Sequence, residues 1–210
     1  MILENISTYN WVNSLRGMRN PKKSWNKNDT CVYYDNKKGE IPFIGPNDLK
    51  LSSRLIKAGT DHRKFLRQIF ISVDVSGTLK FFDQFSQYKF QVTNSTSQMH
   101  TSGTFLFTKK DFNEYVFQET IDKLNDYISF RNIITTQEIR KELWKKIIYN
   151  TPSGYIYKRT ATFNYETFLS MYQARKDHKL DEWVEFCEKL REELPYIDYW
   201  LSLLEGWIYI

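Results

Sequence analysis

Cysteine is nearly absent from this chain. Cys31 and Cys187 are the only two in 210 residues, far apart and outside any C-x-x-C spacing. Neither a disulfide framework nor a structural zinc site is therefore expected. The three histidines, His62, His100 and His178, have no partner at i+3 or i+4, so no metal site is expected. Glycine-rich phosphate loops are missing in both the G-x-G-x-x-G and the Walker form. So are a nucleophile elbow and a Cys-His signature. No apolar run approaches the roughly 20 residues that span a bilayer. Residues 1–20 lack the basic-then-apolar order of a signal peptide. A reducing, cytoplasmic setting without membrane association is the expectation.

What is present is ordinary in most respects. Hydrophobic residues make up 41% and charged residues 26%, as in a globular chain, and the length suits one domain with a sizeable core. The aromatic share of 17% is high. Such rings fill cores and subunit interfaces, and they also offer stacking surfaces for flat ligands. A net charge of +5 and a pI near 9.0 favour anionic partners. Asp and Glu are interspersed throughout, so charge alone does not indicate nucleic acid.

Turn residues and periodicity divide the chain. Residues 1–45 are polar and punctuated by Pro21, Gly39 and Pro42. They read as an irregular N-terminal arm with short elements, packed by Trp11, Trp25, Tyr33 and Tyr34, ahead of a domain over 46–210. Asn47-Asp48 can cap a helix to about Ala58, ended by Gly59. Residues 65–75 alternate as a strand that Gly77 breaks. Phe81, Phe82 and Phe85 place a helix over 79–88. Residues 91–103 read as an ordered polar loop. Helices are expected over 111–130, 136–149, 166–176 and 180–190, a strand over 155–163, and a short apolar helix over 196–210. With no internal repeat and no linker, this predicts one α+β domain.

The functional signal lies in four separated blocks. Gln87-Tyr88-Lys89 is followed, after seven residues, by Ser97, inside the stretch SGTLKFFDQFSQYKFQVTNSTSQMH over 76–100. His62 lies twenty-five residues before Gln87. Phe163-Asn164-Tyr165-Glu166 comes later, with Arg175 eleven residues after Asn164. Lys179-Leu180-Asp181-Glu182-Trp183 completes the set. Over roughly residues 55–190 these blocks resemble the flavin-dependent thymidylate synthases. In that family the first block reads Arg-His-Arg, seven residues, Ser; the third reads Val-Asn-Ala-Arg; the fourth reads Ala-Gln-Trp-Glu.

The resemblance implies a single α+β domain with a central mixed or antiparallel sheet flanked by helices, assembled as a homotetramer. It implies a methyltransferase forming dTMP from dUMP. FAD, reduced by NADPH, would pass a hydride after a methylene group arrives from methylene-tetrahydrofolate. Arg175 would polarise the pyrimidine as the catalytic residue. Arg175, Ser97, Asn94 and Lys89 would bind the nucleotide, and His62, Gln87, Tyr88, Lys89 and Asn164 would line the flavin side.

The chain departs from that pattern where anions should bind. Gln87 keeps hydrogen bonds but loses a charge, Tyr88 can stack but is no cation, and Met99 replaces a phosphate-clamping arginine. Glu166 reverses a charge beside what should be a diphosphate, which is unfavourable unless the carboxylate is paired. FAD is thus expected in an altered pose, or lost. The alternative is an inactive nucleotide-binding or sequestering protein on the same fold. Plainer roles also stand beside each residue: Arg175 as a solvated cation, His62 as a surface or capping residue, Asn94 and Ser97 as members of a turn whose side chains satisfy its backbone, and Asn164 as a helix cap.

Overall fold

The first forty-five residues, expected as an irregular arm, supply half of the sheet. In the computed structural model, which describes residues 1–206, β1 (Ile2–Tyr9), α1 (Trp11–Gly17), β2 (Cys31–Asp35) and β3 (Gly39–Phe43) all fall in that stretch. Then follow α2 (Pro46–Lys57), β4 (Phe70–Thr78), α3 (Leu79–Phe85), β5 (Gln91–Ser95) and α4 (Gln98–Thr101). The chain ends with α5 (Gln118–Ile133), α6 (Gln137–Asn150), β6 (Ile156–Asn164), α7 (Tyr165–Arg175), α8 (Asp181–Glu193) and α9 (Ile197–Glu205). The strands form one six-stranded sheet in the order β2-β3-β1-β4-β6-β5. It is mixed: β1 pairs with β3 parallel, and β2 with β3 antiparallel from Cys31↔Phe43 to Asp35↔Gly39. The α+β class with a mixed sheet and flanking helices agrees with the expectation.

Local boundaries move for identifiable reasons. Gly77 does not break β4, whose inward residues Ile71, Val73 and Val75 are fully buried. The strand continues to Thr78, and the Thr78 hydroxyl accepts from the Phe81 amide to start α3. The polar run after residue 91 is a short strand followed by one helical turn. Thr96 exchanges hydrogen bonds with Lys158, and β5 reads as a loop because its side chains are mostly exposed. α5 starts at Gln118 because Thr108 and Asp111 close a capping box on a separate 3-10 turn. Residues 207–210 of the expected C-terminal helix lie outside the described residues.

α2 is capped from a distance. Asn47 and Asp48 donate their backbone N–H groups to the two carboxylate oxygens of Asp29, each at 2.9 Å. Asp48, fully buried, accepts in return from the Asp29 amide, the Thr30 hydroxyl, the Asn28 amide and Arg19 Nε at 2.6 Å. The arrangement is a capping box closed across the sequence. Gly45 is obligatory there, since a Cβ would lie 2.3 Å from Asp29 Cγ.

The chain falls into two compact units. The first comprises 1–75, 88–93 and 160–210, and the second 76–87 and 94–159. The first is built on rings: Trp11, Tyr165 and Trp200 meet at 5.0–5.8 Å, with Phe65 and Tyr196 around Trp200. Each such buried ring contributes on the order of 1.5–3 kcal/mol of hydrophobic stabilisation. Of the four aromatics expected to pack the arm, Trp11 alone enters this core; Trp25, Tyr33 and Tyr34 are exposed. The second unit packs α5 and α6 around Phe107, Phe112, Ile121, Leu124, Ile128 and Ile147. Both cysteines are free. Among the described residues, no helix is long and apolar enough to cross a membrane.

Candidate functional site

Helix α7 carries candidate residues at both ends. It begins where β6 stops, because the Asn164 side-chain oxygen accepts from the Thr167 amide at 2.9 Å and from the Thr167 hydroxyl at 3.0 Å. The helix then buries nearly all of its first two turns. Arg175 is its last residue. Eleven residues at about 1.5 Å rise put Asn164 and Arg175 roughly 16 Å apart, so they serve two places, not one.

At the C-terminal end, three of the four blocks converge. Arg175 Nε donates to Tyr88 Oη at 3.1 Å. Its guanidinium lies 5.0 Å from the centre of the Trp183 indole and 5.9 Å from the Tyr88 ring. The two rings meet edge to face at 5.8 Å. Trp183 is fixed by α8, whose start is tied to the preceding turn by the Leu180 amide donating to His178 Nδ1 at 3.1 Å. A guanidinium braced by two rings loses little freedom when it binds, and its planar fork matches a carbonyl pair or a phosphate. Arg175 is therefore not a solvated helix-end cation. Behind it, burial pushes the Cys187 thiol up to about 12, with Glu188 adding to the rise and Arg175 opposing it. That thiol is inert at neutral pH. Lys89, next to Tyr88, is exposed.

At the N-terminal end the reversed charge is paired. Glu166, 9% exposed, binds Arg63, 6% exposed, with Arg63 Nε 2.9 Å from one carboxylate oxygen and 3.1 Å from the other. Sequence reasoning missed Arg63. Asp61-His62-Arg63-Lys64 reads as a solvated charge run, and no local signal marks one member as buried. His62 itself is exposed. It lines a cleft of about 560 Å³ with Asn20, Lys64, Phe65 and Gln68.

Gln87, Asn94 and Ser97 belong to the second unit. Gln87 and Asn94 are exposed. Ser97 precedes α4, and its carbonyl accepts from the His100 and Thr101 amides while its side chain makes no cap hydrogen bond; Asn94 lies in β5, so the two are not members of one turn satisfied by its own side chains. Neighbouring Gln98 accepts a hydrogen bond from Tyr157 Oη at 2.7 Å. Burial raises the Tyr157 phenol above its ordinary value and lowers the Arg159 guanidinium below its own. Among the described residues no cluster of three His, Cys, Asp or Glu side chains could hold a metal.

No protein-family model matches the sequence, and no curated protein matches it. Solved structures do match. Thymidylate synthase X from Helicobacter pylori, in a crystal structure with FAD and dUMP, superposes with a TM-score of 0.66 at 13% identity, over 96% of this chain and 97% of that one. A second structure, the flavin-dependent thymidylate synthase ThyX from Helicobacter pylori complexed with FAD and dUMP, gives 0.65 at 15% identity over 100% of both chains. The chain has the fold of thymidylate synthase X.

Proposed function

We propose that this chain is a flavin-dependent thymidylate synthase-like protein whose Arg175 anchors a pyrimidine nucleotide. The observation that carries the reading is the junction of Arg175, Tyr88 and Trp183 at the end of α7, on a fold whose solved examples hold FAD and dUMP. In this reading Arg175 binds the pyrimidine carbonyl edge and draws charge towards it, which favours attack through the ring carbon. Lys89 supplies a neighbouring positive charge; Asn94 and Ser97, in the second unit, remain candidates for nucleotide contacts in their own right. His62, Gln87, Tyr88, Lys89 and Asn164 are the flavin-side set. The cleft lined by His62 and Lys64 supports the flavin-side reading, since it offers an imidazole and a cation to an anionic cofactor. FAD, when bound, supplies the hydride; NADPH and methylene-tetrahydrofolate complete the reaction.

A second reading, a nucleotide-binding protein without synthase chemistry, is favoured by two observations. Arg63 already neutralises Glu166, and Asn164 already spends its side-chain oxygen on the helix cap. Neither is arranged to hold a diphosphate.

Calorimetry with dUMP tests the common part. Arg175→Ala should weaken binding by about tenfold or more, the loss of one charge-assisted fork; equal affinity removes Arg175 as the anchor. The visible absorbance spectrum with added FAD then separates the two readings. Bound flavin peaks that respond to dUMP support the synthase, and the absence of flavin binding at any concentration leaves the nucleotide binder.

A further inference from the structure

The second unit contains a broad, solvent-open cavity of about 630 Å³ that none of the motif residues lines. Its lining is Arg131, Gln137, Glu138, Arg140, Lys141 and Trp144. Four of these, at 137, 140, 141 and 144, follow the i, i+3, i+4, i+7 spacing of one face of α6. Arg131 reaches in from the last turn of α5. Three cations face one carboxylate, and an indole supplies the only large flat surface in the lining.

Two of the cations are held in place before any ligand arrives. Arg131 Nη1 donates to the Gly103 carbonyl at 2.8 Å, and Arg140 Nη1 donates to the Ile134 carbonyl at 3.1 Å. Each bond occupies one of five N–H groups, so most of each donor fork remains after anchoring. Arg131 Nε is buried without a hydrogen-bond partner. A covered guanidinium with an unmet donor gains more from an arriving oxyanion than a solvated one does, because part of its desolvation cost is already met in the fold. The half-buried Trp144 adds a ring face on which a base can stack. An oxyanion fits the cations, a flat ring fits the indole, and the volume accommodates both together.

We propose that this cavity is a second binding site, taking a free nucleoside monophosphate, with the phosphate on Arg131, Arg140 and Lys141 and the base against Trp144. It stands on other residues than the pyrimidine site and does not depend on it. The test is calorimetric titration of the Arg175→Ala chain, in which the proposed pyrimidine anchor is removed, with adenosine monophosphate and separately with inorganic phosphate. The nucleotide should bind about tenfold tighter than phosphate, the margin one stacked base supplies. Arg140→Gln with Lys141→Gln should weaken both ligands by about tenfold or more. Trp144→Leu should weaken the nucleotide alone, with circular dichroism confirming that the helices are kept. No binding, equal affinities for the two ligands, or indifference to the Arg140 and Lys141 changes would overturn the proposal. A short adenosine strand that binds far more tightly than the monophosphate would overturn it in favour of a polynucleotide.

Discussion

The ion pair between Arg63 and Glu166 decides how the reversed charge should be read. From sequence alone, a carboxylate at 166 looks like an obstacle to an anionic cofactor unless it is paired. In the structure it is paired with Arg63, so Glu166→Arg would set two guanidiniums against each other in a buried place. Removing one partner of such a pair costs about 3–5 kcal/mol, whereas replacing both by apolar side chains is often near neutral. Chemical denaturation should therefore find Glu166→Gln and Arg63→Met each strongly destabilising and the Arg63→Met/Glu166→Leu double change much milder. Additive losses would mean that the pair is not coupled. The pairing was illegible because its partners lie 103 residues apart. The helix that carries Arg175 was legible from its spacing; the bracing of Arg175 by Tyr88 and Trp183 was not, because ring contacts leave no periodic trace.

Elements built on local rules were the readable ones. α6, α7 and α8 have helical spacing and clear stops, and they stand within a residue or three of where the pattern puts them. β1, β2 and β3 were hidden, because a strand is stabilised by a neighbour that the local sequence does not contain. Gly39, which reads as a turn residue, has φ +72° at the start of β3, where it pairs with Thr8 and Asp35. Capping supplies two checks at this scale. Asn164→Ala should lower stability by about 1 kcal/mol, and Asn164→Ser should restore most of it. If the serine variant regains stability but not flavin or nucleotide affinity, the amide has a role beyond the cap. Asp29 supplies the other. Burial alone would raise its carboxyl, but the Asn47 and Asp48 amides outweigh that and hold it below its ordinary value. A depressed carboxyl stabilises the fold above its unfolded pKa, and that contribution is lost as pH falls through the folded one. The difference in unfolding free energy between the natural chain and Asp29→Ala should thus be full at neutral pH and shrink in acid. A difference that does not change with pH would remove the charged cap.

For the whole molecule, the expected assembly is a homotetramer. Several large apolar side chains of the second unit are open to solvent in the single chain, with Phe105, Tyr115, Phe117 and Ile133 each at least 75% exposed, as burial between subunits would require. Light scattering should give four times the 25.3 kDa chain mass, and a monomer at working concentration would count against a site shared between subunits. The course of the chain between its two units has a consequence of another kind. It passes from one to the other four times, at 75/76, 87/88, 93/94 and 159/160. Three of those passages lie inside β4, β5 and β6. No single cut in the gene can release either unit as a continuous polypeptide, and no single recombination can graft one onto another protein. Whatever the two units do, they are inherited, expressed and lost together.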